Sequence, residues 1–209
     1  WLESRNPCRP HEVVARVQGA AVSDLDHIIE QALKQWTHWR RVAPEARSEI
    51  LRKAASEIGR RRYELAAWQI FEVGKPWREA DADVAEAIDF LRYYADEMDR
   101  LARAVRLGHR PGELNQRIYE PRGVTVVIAP WNFPLAIPTG MVSAALVTGN
   151  PVLFKPSERS PYLGALLTDI LIEAGVPSGC VTCLPGDQEV GQALVAHPRV
   201  GTIAFTGSK

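Results

Sequence analysis

Residues 124–134 read Val-Thr-Val-Val-Ile-Ala-Pro-Trp-Asn-Phe-Pro. The uncharged, mostly β-branched run over 124–129 is typical of a strand that is buried on both faces, and a loop bounded by prolines follows it. A helix predicted over 135–148 then leads to a second short strand, 152–154, which runs into Lys-Pro-Ser-Glu. This order of strand, helix and strand predicts parallel strands joined by crossover helices.

The same alternation continues to the end of the chain. Ser160 followed by Pro161 predicts an N-cap and the first turn of a helix, which should end at Gly175. The elements predicted after it are a strand, a helix and a strand, over 181–184, 189–196 and 202–205. We therefore predict an α/β fold with a doubly wound, mostly parallel Rossmann-like sheet.

A layer of helices is predicted in the first half of the chain. Ser23, with Asp26 three residues later, resembles a capping box, and apolar residues at helical spacing follow it. Pro44 suits the first turn of a second helix, Gly74 its end and Pro76 the start of a third. The fold prediction is therefore a helical N-terminal layer in front of the parallel sheet.

Composition restricts the classes of protein. Hydrophobic residues make up 46% and charged residues 24% of the chain, as in a soluble globular protein, and the formal net charge is +0. Neutrality gives no reason to expect a nucleic-acid or acidic-membrane partner. The stretch 123–154 carries no charge, but its prolines divide it into pieces too short to span a membrane. With three cysteines and no secretory signal at the start, we expect a cytoplasmic protein without a membrane segment.

Polar or glycine residues follow each predicted strand of the sheet. In strand order they are Asn132, Lys155 with Glu158, Gly186, and Gly207 with Ser208. Ligands of open α/β sheets bind at the carboxyl ends of the strands, so we predict a binding site there. The Gly-x-Gly-x-x-Gly fingerprint is absent, so this pattern alone is weak evidence for a dinucleotide.

Three of these segments, taken together, resemble the aldehyde dehydrogenase family. They are Pro-Trp-Asn-Phe-Pro at 130–134, Lys-Pro-Ser-Glu at 155–158 and Phe-Thr-Gly-Ser at 205–208. They occur in the family's order and at about its spacing, and the resemblance covers nearly the whole chain. It implies a partial aldehyde dehydrogenase fold, a small-molecule aldehyde substrate and an NAD(P) cofactor.

Other segments look most like one branch of that family. This branch, the 1-pyrroline-5-carboxylate dehydrogenases of proline breakdown, oxidises L-glutamate γ-semialdehyde to glutamate. The segments that carry this likeness lie at 71–77, 79–90, 93–95 and 111–115.

The resemblance implies that Asn132 donates a hydrogen bond to the oxyanion formed when a thiol attacks an aldehyde. Loss of such a donor costs about 3–4 kcal/mol of transition-state stabilisation. From the residues alone, the favoured interpretation of Asn132 between two prolines is a turn residue held by its own backbone.

Lys155 and Glu158 resemble the pair that holds the adenosine ribose of the cofactor. A carboxylate accepts hydrogen bonds from ribose hydroxyls and repels a 2′-phosphate, so Glu158 favours NAD over NADP. The alternative is an exposed ion pair on a loop, worth about 0–1 kcal/mol.

The resemblance adds further cofactor-binding residues. These are Ala129, Pro130, Trp131, Ser157, Gly186, Gly191, Phe205, Thr206, Gly207 and Ser208. Ser208 would begin a helix whose amides face the pyrophosphate. Trp131 would line the nicotinamide site, or else simply pack. The loop 185–191 is one residue shorter than the family's usual pattern and has Gln188 where a second glycine is common, which weakens the prediction of a close backbone approach there.

The resemblance also implies what residues 1–209 do not contain. The family's catalytic cysteine and general-base glutamate would come after Lys209. We therefore predict a partial NAD-binding domain without the catalytic domain, inactive by itself and part of a complete enzyme. The alternatives are a non-catalytic nucleotide-binding or assembly module, and a dehydrogenase of a different aldehyde.

The resemblance implies that about residues 112–122 contribute an oligomerisation β-segment, so that the complete enzyme is a homo-oligomer. Within this segment, Arg117–Glu120 alternates like a half-exposed strand.

Cys180 and Cys183 have the spacing of a redox pair or of half a zinc site. The sequence has no second such pair, so we predict that both pack in a buried strand and that the chain holds no metal. Neither matches the family's nucleophile, and His197 before Pro198 looks like a helix end and not a base.

Overall fold

The computed structural model describes residues 1–207 and shows an α/β fold with helices on both faces of a parallel sheet, which confirms the predicted fold class. The helices are α1 (Leu25–Trp39), α2 (Pro44–Arg60), α3 (Arg62–Val73), α4 (Trp77–Leu101), α5 (Ala136–Val147), α6 (Pro161–Ala174) and α7 (Gln188–Ala196). The strands are β1 (Leu2–Arg5), β2 (Val13–Val17), β3 (Val105–Arg106), β4 (Gln116–Arg117), β5 (Thr125–Ile128), β6 (Val152–Lys155), β7 (Val181–Cys183) and β8 (Thr202–Phe205).

The central sheet consists of four parallel strands in the order β7-β6-β5-β8. Its strands lie within two residues of the predicted bounds, because short apolar runs between turn residues are a strong local signal. β8 lies at an edge of the sheet among the described residues, and its Ile203 and Phe205 side chains are 43% and 58% exposed.

Alternate residues of the sheet strands bury their side chains on opposite faces, as pleating requires. Val127 and Phe154 pack in the core formed with α2–α6, whereas Val126 and Leu153 pack in a second core with α1 and α7. This arrangement makes the sheet doubly wound.

The helices α2–α4 form a layer that packs on α5 and α6, and we call it the helical layer. The ring of Phe90 on α4 lies so close to Gly140 of α5 that an added Cβ would come within 3.2 Å of it. The last carbonyls of α5 are also bonded from outside the helix. The indole of Trp39 donates to Leu146, and the Arg47 guanidinium donates to Val147. The apolar α5 is thus held by side chains from distant parts of the sequence.

Two local predictions in the first half are wrong. Ser23 lies in a 3₁₀ turn before α1 and its hydroxyl donates to the Asp24 carboxylate at 3.2 Å, so it does not form a capping box. The predicted second helix is interrupted at Arg61, whose backbone (φ −96°, ψ 15°) leaves the helical region and allows α3 to pack against α4 and α6. Gly74 ends α3 in the left-handed conformation (φ 68°), as predicted.

The two antiparallel hairpins differ from the sequence prediction as well. β1 and β2 form an antiparallel pair that the sequence did not indicate. Within 117–120 only Arg117 belongs to a strand and every residue is exposed, so the predicted alternation is wrong. The reason is that β4 pairs with β3, which is itself two residues long. None of the helices within residues 1–207 has the length and apolar character needed to cross a membrane.

Candidate functional site

A cleft of about 710 Å³ opens at the carboxyl ends of β5, β6 and β8. Most of the residues selected from the sequence line it: Ala129, Pro130, Trp131, Asn132, Lys155, Ser157, Glu158, Phe205, Thr206 and Gly207. Segments up to 78 residues apart in sequence are brought together because parallel strands end at the same edge of the sheet.

Three selected residues are not among those that line the cleft. Gly186 packs against α7, since an added Cβ would lie 2.8 Å from the side chain of Val190. Gly191 lies on α7 against the stem of Lys155, at 3.4 Å from its Cε. Both glycines therefore allow close packing at the first turn of α7. Ser208 lies outside the described residues.

The cleft also contains residues that the sequence reading did not select, namely Ile128, Phe133, Ile137 and Arg159. The Arg159 guanidinium lies 5.3 Å from the centre of the Trp131 ring, a cation–π distance that connects the loops after β5 and β6. Its position next to Glu158 was the available sequence signal.

Asn132 is exposed in the loop between β5 and α5. Its backbone carbonyl accepts a hydrogen bond from Lys75 Nζ at 2.7 Å. Its side-chain amide makes no hydrogen bond to residues 1–207, in contrast to a turn asparagine held by its own backbone. The amide is therefore available as a donor in the cleft.

Lys75 comes from the turn between α3 and α4 and is 7% exposed. Its ammonium group lies 3.9 Å from the centre of the Phe133 ring and 3.5 Å from Asp83 Oδ1. Asp83, which is 1% exposed, uses Oδ2 to accept the backbone amides of Leu135 and Ala136 at 3.2 and 3.3 Å. The pair thus connects the helical layer to the middle and to the C-terminal end of the loop that holds Asn132.

Burial raises the pKa of Asp83 above its ordinary value, while the charge of Lys75 and the two backbone amides act in the opposite direction. Lys75 lies in the segment 71–77 that resembles the family, but no local pattern around it predicts a role for its side chain.

Lys155 and Glu158 lie on the cleft in different environments. Lys155 is buried, and its ammonium group donates to the Pro156 carbonyl at 3.4 Å. Burial lowers the pKa of Lys155, and the carboxylates of Glu158 and Asp187 partly oppose that shift. Glu158 is exposed and forms no salt bridge within 4.0 Å of any cation among residues 1–207, so the ion-pair alternative is not formed. The cleft therefore offers Lys155 as a buried cationic donor and Glu158 as a separate carboxylate acceptor, with Arg159 as a second cation in its wall.

The start of α6 is capped from the helical layer. Glu72 Oε1 accepts the amide of Tyr162 at 2.8 Å, and Oε2 accepts the amide of Leu163 at 2.9 Å. Burial raises the pKa of Glu72, and these two amide bonds lower it. Ser160 makes no side-chain capping bond, so its predicted capping role is wrong. The distant carboxylate occupies the amides that Ser160 would have bonded.

The cysteines do not form a second chemical centre. Cys180 is buried and Cys183 is partly buried, and both are free thiols. Burial raises the pKa of Cys180 to about 11 and that of Cys183 to about 12, so both remain protonated and poorly nucleophilic at neutral pH. Across residues 1–207, no cluster of three or more His, Cys, Asp or Glu side chains is arranged to hold a metal ion. His197 caps the end of α7 and lies 2.9 Å from Asp26, in agreement with the predicted helix end.

Comparison with known proteins gives consistent matches. The profile of the Aldehyde dehydrogenase family matches residues 2–209. 1-Pyrroline-5-carboxylate dehydrogenase 1 of Halalkalibacterium halodurans is 47% identical over 209 residues, which is 100% of this chain and 41% of that protein. The 1-pyrroline-5-carboxylate dehydrogenase of Geobacillus thermodenitrificans has the same identity and coverage. The chain thus spans about 41% of the length of the curated relatives it matches.

Solved structures agree with these relatives. The crystal structure of 1-pyrroline-5-carboxylate dehydrogenase from Thermus with bound NAD has a TM-score of 0.96 and 46% identity, covering 99% of this chain and 40% of that one. Proline utilization A from Bdellovibrio bacteriovorus, inactivated by N-propargylglycine, has the same TM-score and identity, covering 99% of this chain and 22% of that one.

Proposed function

The chain belongs to the aldehyde dehydrogenase family, and from this premise we propose that it forms the NAD-binding part of an enzyme that oxidises L-glutamate γ-semialdehyde to glutamate. The relatives named above support the substrate, and the neighbour crystallised with NAD supports the cofactor. The observation that carries the proposal is the cleft itself. Asn132, whose side-chain amide is free, lines it together with Lys155 and Glu158.

The polar groups of the cleft fit a dinucleotide. Glu158 provides an exposed carboxylate that can accept hydrogen bonds from ribose hydroxyls, and the Lys155 ammonium provides a donor nearby. These two residues would hold the adenosine ribose, and Trp131 would line the nicotinamide site, with Phe205 as a further apolar residue of the cleft. When bound, NAD supplies the hydride acceptor.

Asn132 provides the electrostatic contribution of this chain to the chemistry. In the proposed reaction a thiol adds to the aldehyde, and negative charge develops on the former carbonyl oxygen. An amide donor already fixed in the cleft stabilises that charge without reorganising during the reaction. The thiol and a base for hydrolysis would come from the rest of the protein, so residues 1–209 alone should be inactive.

The proposed domain arrangement follows from the same premise. Residues 1–209 would form a partial NAD-binding domain, and about 112–122 would take part in a cytoplasmic homo-oligomer. The exposed apolar side chains of β8 and of Ile118 and Tyr119 support this, because they are surfaces that further chain or another subunit would cover.

The first test measures NADH formation from glutamate γ-semialdehyde by the whole protein. Asn132→Ala should lower kcat about 10²- to 10³-fold and leave NAD binding nearly unchanged. Gln31→Ala, which removes an exposed amide from α1 outside the cleft, is the control. NAD binding without any aldehyde oxidation would instead support the non-catalytic module, and oxidation of another aldehyde alone would overturn the substrate.

The second test concerns the choice of cofactor. Glu158→Gln removes the charge that repels a 2′-phosphate, so the ratio of kcat/KM for NAD to that for NADP should fall from a strong preference toward parity. Glu173→Gln, an exposed change on α6, should leave the ratio unchanged. Equal use of both cofactors by the unmodified enzyme would show that Arg159 or another group determines the choice.

A further inference from the structure

Lys75 is the buried cation nearest to the proposed oxyanion donor, and three contacts converge on it. The left-handed turn at Gly74 and the adjacent Pro76 direct it from the helical layer toward the cleft. Its ammonium group meets the Asn132 carbonyl, the Phe133 ring and the Asp83 carboxylate. Lysine is seldom buried unless it is paired, and here Asp83 provides the paired carboxylate.

The shortest contact of Lys75 is with the backbone of the loop after β5. The side-chain amide of Asn132 has no partner among residues 1–207, so its location depends on where its own backbone lies. That backbone is held on one side by β5 and on the other by α5, whose first amides bond to Asp83. The bond from Lys75 at 2.7 Å is the contact made at Asn132 itself.

We propose that Lys75, anchored by Asp83, is a positioning residue that sets the place of the Asn132 amide in the cleft. The inference rests on the proposed function, in which Asn132 stabilises an oxyanion. Lys75 acts through the backbone carbonyl and is not among the residues that line the cleft. Asp83 has two roles that use different oxygens: Oδ2 caps α5 and Oδ1 holds Lys75.

The size of the effect follows from the geometric demand of the reaction. A misplacement of about 1 Å in a reacting constellation can cost about 100-fold in rate. Lys75→Met, which keeps the apolar stem and removes the donor, should therefore lower kcat by about 10- to 100-fold. The KM for the aldehyde and the Kd for NAD should change by less than about threefold, since uniform binding is not involved.

A double-mutant cycle in the whole protein separates positioning from general damage. If Lys75 acts through Asn132, then Lys75→Met should cause little further loss of kcat in the Asn132→Ala background. Lys53→Met, an exposed change on α2, is the matched control and should leave kcat unchanged in both backgrounds. An equal loss from Lys75→Met with and without Asn132, or no loss at all, would overturn the proposal.

Asp83→Asn provides a second variant in case Lys75→Met does not fold. It keeps an oxygen for the amides of α5 and removes the charge that holds Lys75. It should lower kcat by a smaller factor than Lys75→Met, and again have little effect without the Asn132 amide. A loss of the same factor in both backgrounds would contradict the proposed route.

A crystal structure of Lys75→Met tests the inference even if the enzyme does not oxidise the expected aldehyde. Asn132 should be displaced or lose its single position, whereas Lys155 and Glu158 on the neighbouring loop stay in place. If Asn132 has the same position in Lys75→Met as in the unmodified protein, the positioning role is wrong and the proposed function is unaffected. Absence of dehydrogenase activity in the unmodified protein, with Asn132 displaced in the variant, would sink the function and retain the structural link.

Discussion

Glu72 and Asp83 can be compared directly, because each is a buried carboxylate of the helical layer that caps a helix behind the sheet. At α6, Glu72 uses one oxygen for each of two backbone amides and has no cation within salt-bridge distance among residues 1–207. At α5, Asp83 accepts both amides with Oδ2 and uses Oδ1 for Lys75. Glu72 therefore contacts only the start of α6 through these bonds, whereas Asp83 is also linked, through Lys75, to the loop that carries Asn132.

The difference shows how the second oxygen of a capping carboxylate can link a helix cap to the loop that lines the cleft. Both carboxylates accept hydrogen bonds from backbone amides at the start of α5 or α6, and such amides have no partner within their own helix. Because Asp83 needs a single oxygen for that purpose, the second oxygen can hold a cation in a buried position. Changes at Asp83 should consequently affect stability and the cleft together, and changes at Glu72 should affect stability alone.

Asp83→Ala should show the largest effect on stability. It leaves the Lys75 ammonium buried without its counter-charge, which costs about 3–5 kcal/mol, and removes the acceptor of two amides as well. We expect urea denaturation of the protein to give a free energy of unfolding lower by about 4 kcal/mol or more. Asp81→Ala on the same helix breaks a partly exposed pair with Arg62 and should cost about 1 kcal/mol or less. Equal losses for the two variants would contradict the importance of the buried pair.

Glu72→Ala should cost less than Asp83→Ala, because no buried cation loses its partner. Two amides at the start of α6 lose their acceptor, at about 1–3 kcal/mol each. Urea denaturation should give this loss with NAD binding to the cleft unchanged. Glu64→Ala, which breaks an exposed pair on α3, is the control. A change in NAD affinity as large as the stability change would show that the cap of α6 also reaches the cleft.

Glu72→Gln should have a smaller effect that depends on pH. Burial raises the pKa of Glu72 in the folded protein, so the folded state binds a proton more readily than the unfolded state. The stability that this proton contributes is present below the unfolded pKa and is lost as pH rises through the folded pKa. Glutamine does not titrate, so the stability advantage of the unmodified protein over Glu72→Gln should shrink as pH rises. Thermal melts of both proteins between pH 4 and pH 7 would measure this change in the difference between them. A gap that widens with pH would show that the sign is wrong.

Ser160→Ala should have the smallest effect, within about 0.5 kcal/mol, because Ser160 makes no capping bond. An N-cap serine that bonded the helix would cost about 1 kcal/mol on the same change. Thermal denaturation of the variant is sufficient to distinguish the two values, and a loss of 1 kcal/mol or more would restore the capping role read from the sequence.

The elements and the cleft could be predicted from the sequence, whereas the long-range helix caps could not. β5, α5 and β6 were predicted within two residues because strand and helix signals are local runs of neighbouring residues. The cleft residues followed, because parallel strands place their carboxyl ends at one edge and the Pro-Trp-Asn-Phe-Pro and Lys-Pro-Ser-Glu segments stand there.

The caps could not be predicted in the same way. Glu72 lies 90 and 91 residues before the amides it bonds, and Asp83 lies 52 and 53 residues before its own, so no local sequence pattern indicates these pairings. Ser160 and Ser23 carried the local signals for capping, and tertiary packing overrode both. The role of Lys75 could not be predicted for the same reason, since Asn132, whose carbonyl it bonds, lies 57 residues later in the chain.

The capping of α5 and α6 by earlier residues has a consequence for synthesis on the ribosome. Polypeptides emerge from the amino end, so α3 and α4, with Glu72 and Asp83 in them, leave the exit tunnel before the helices that they cap. The helical layer can therefore be assembled and waiting when α5, which carries no charged residue, is exposed to water. Because α3 and α4 are synthesised before α5, the most apolar helix has a surface to pack against as soon as it emerges.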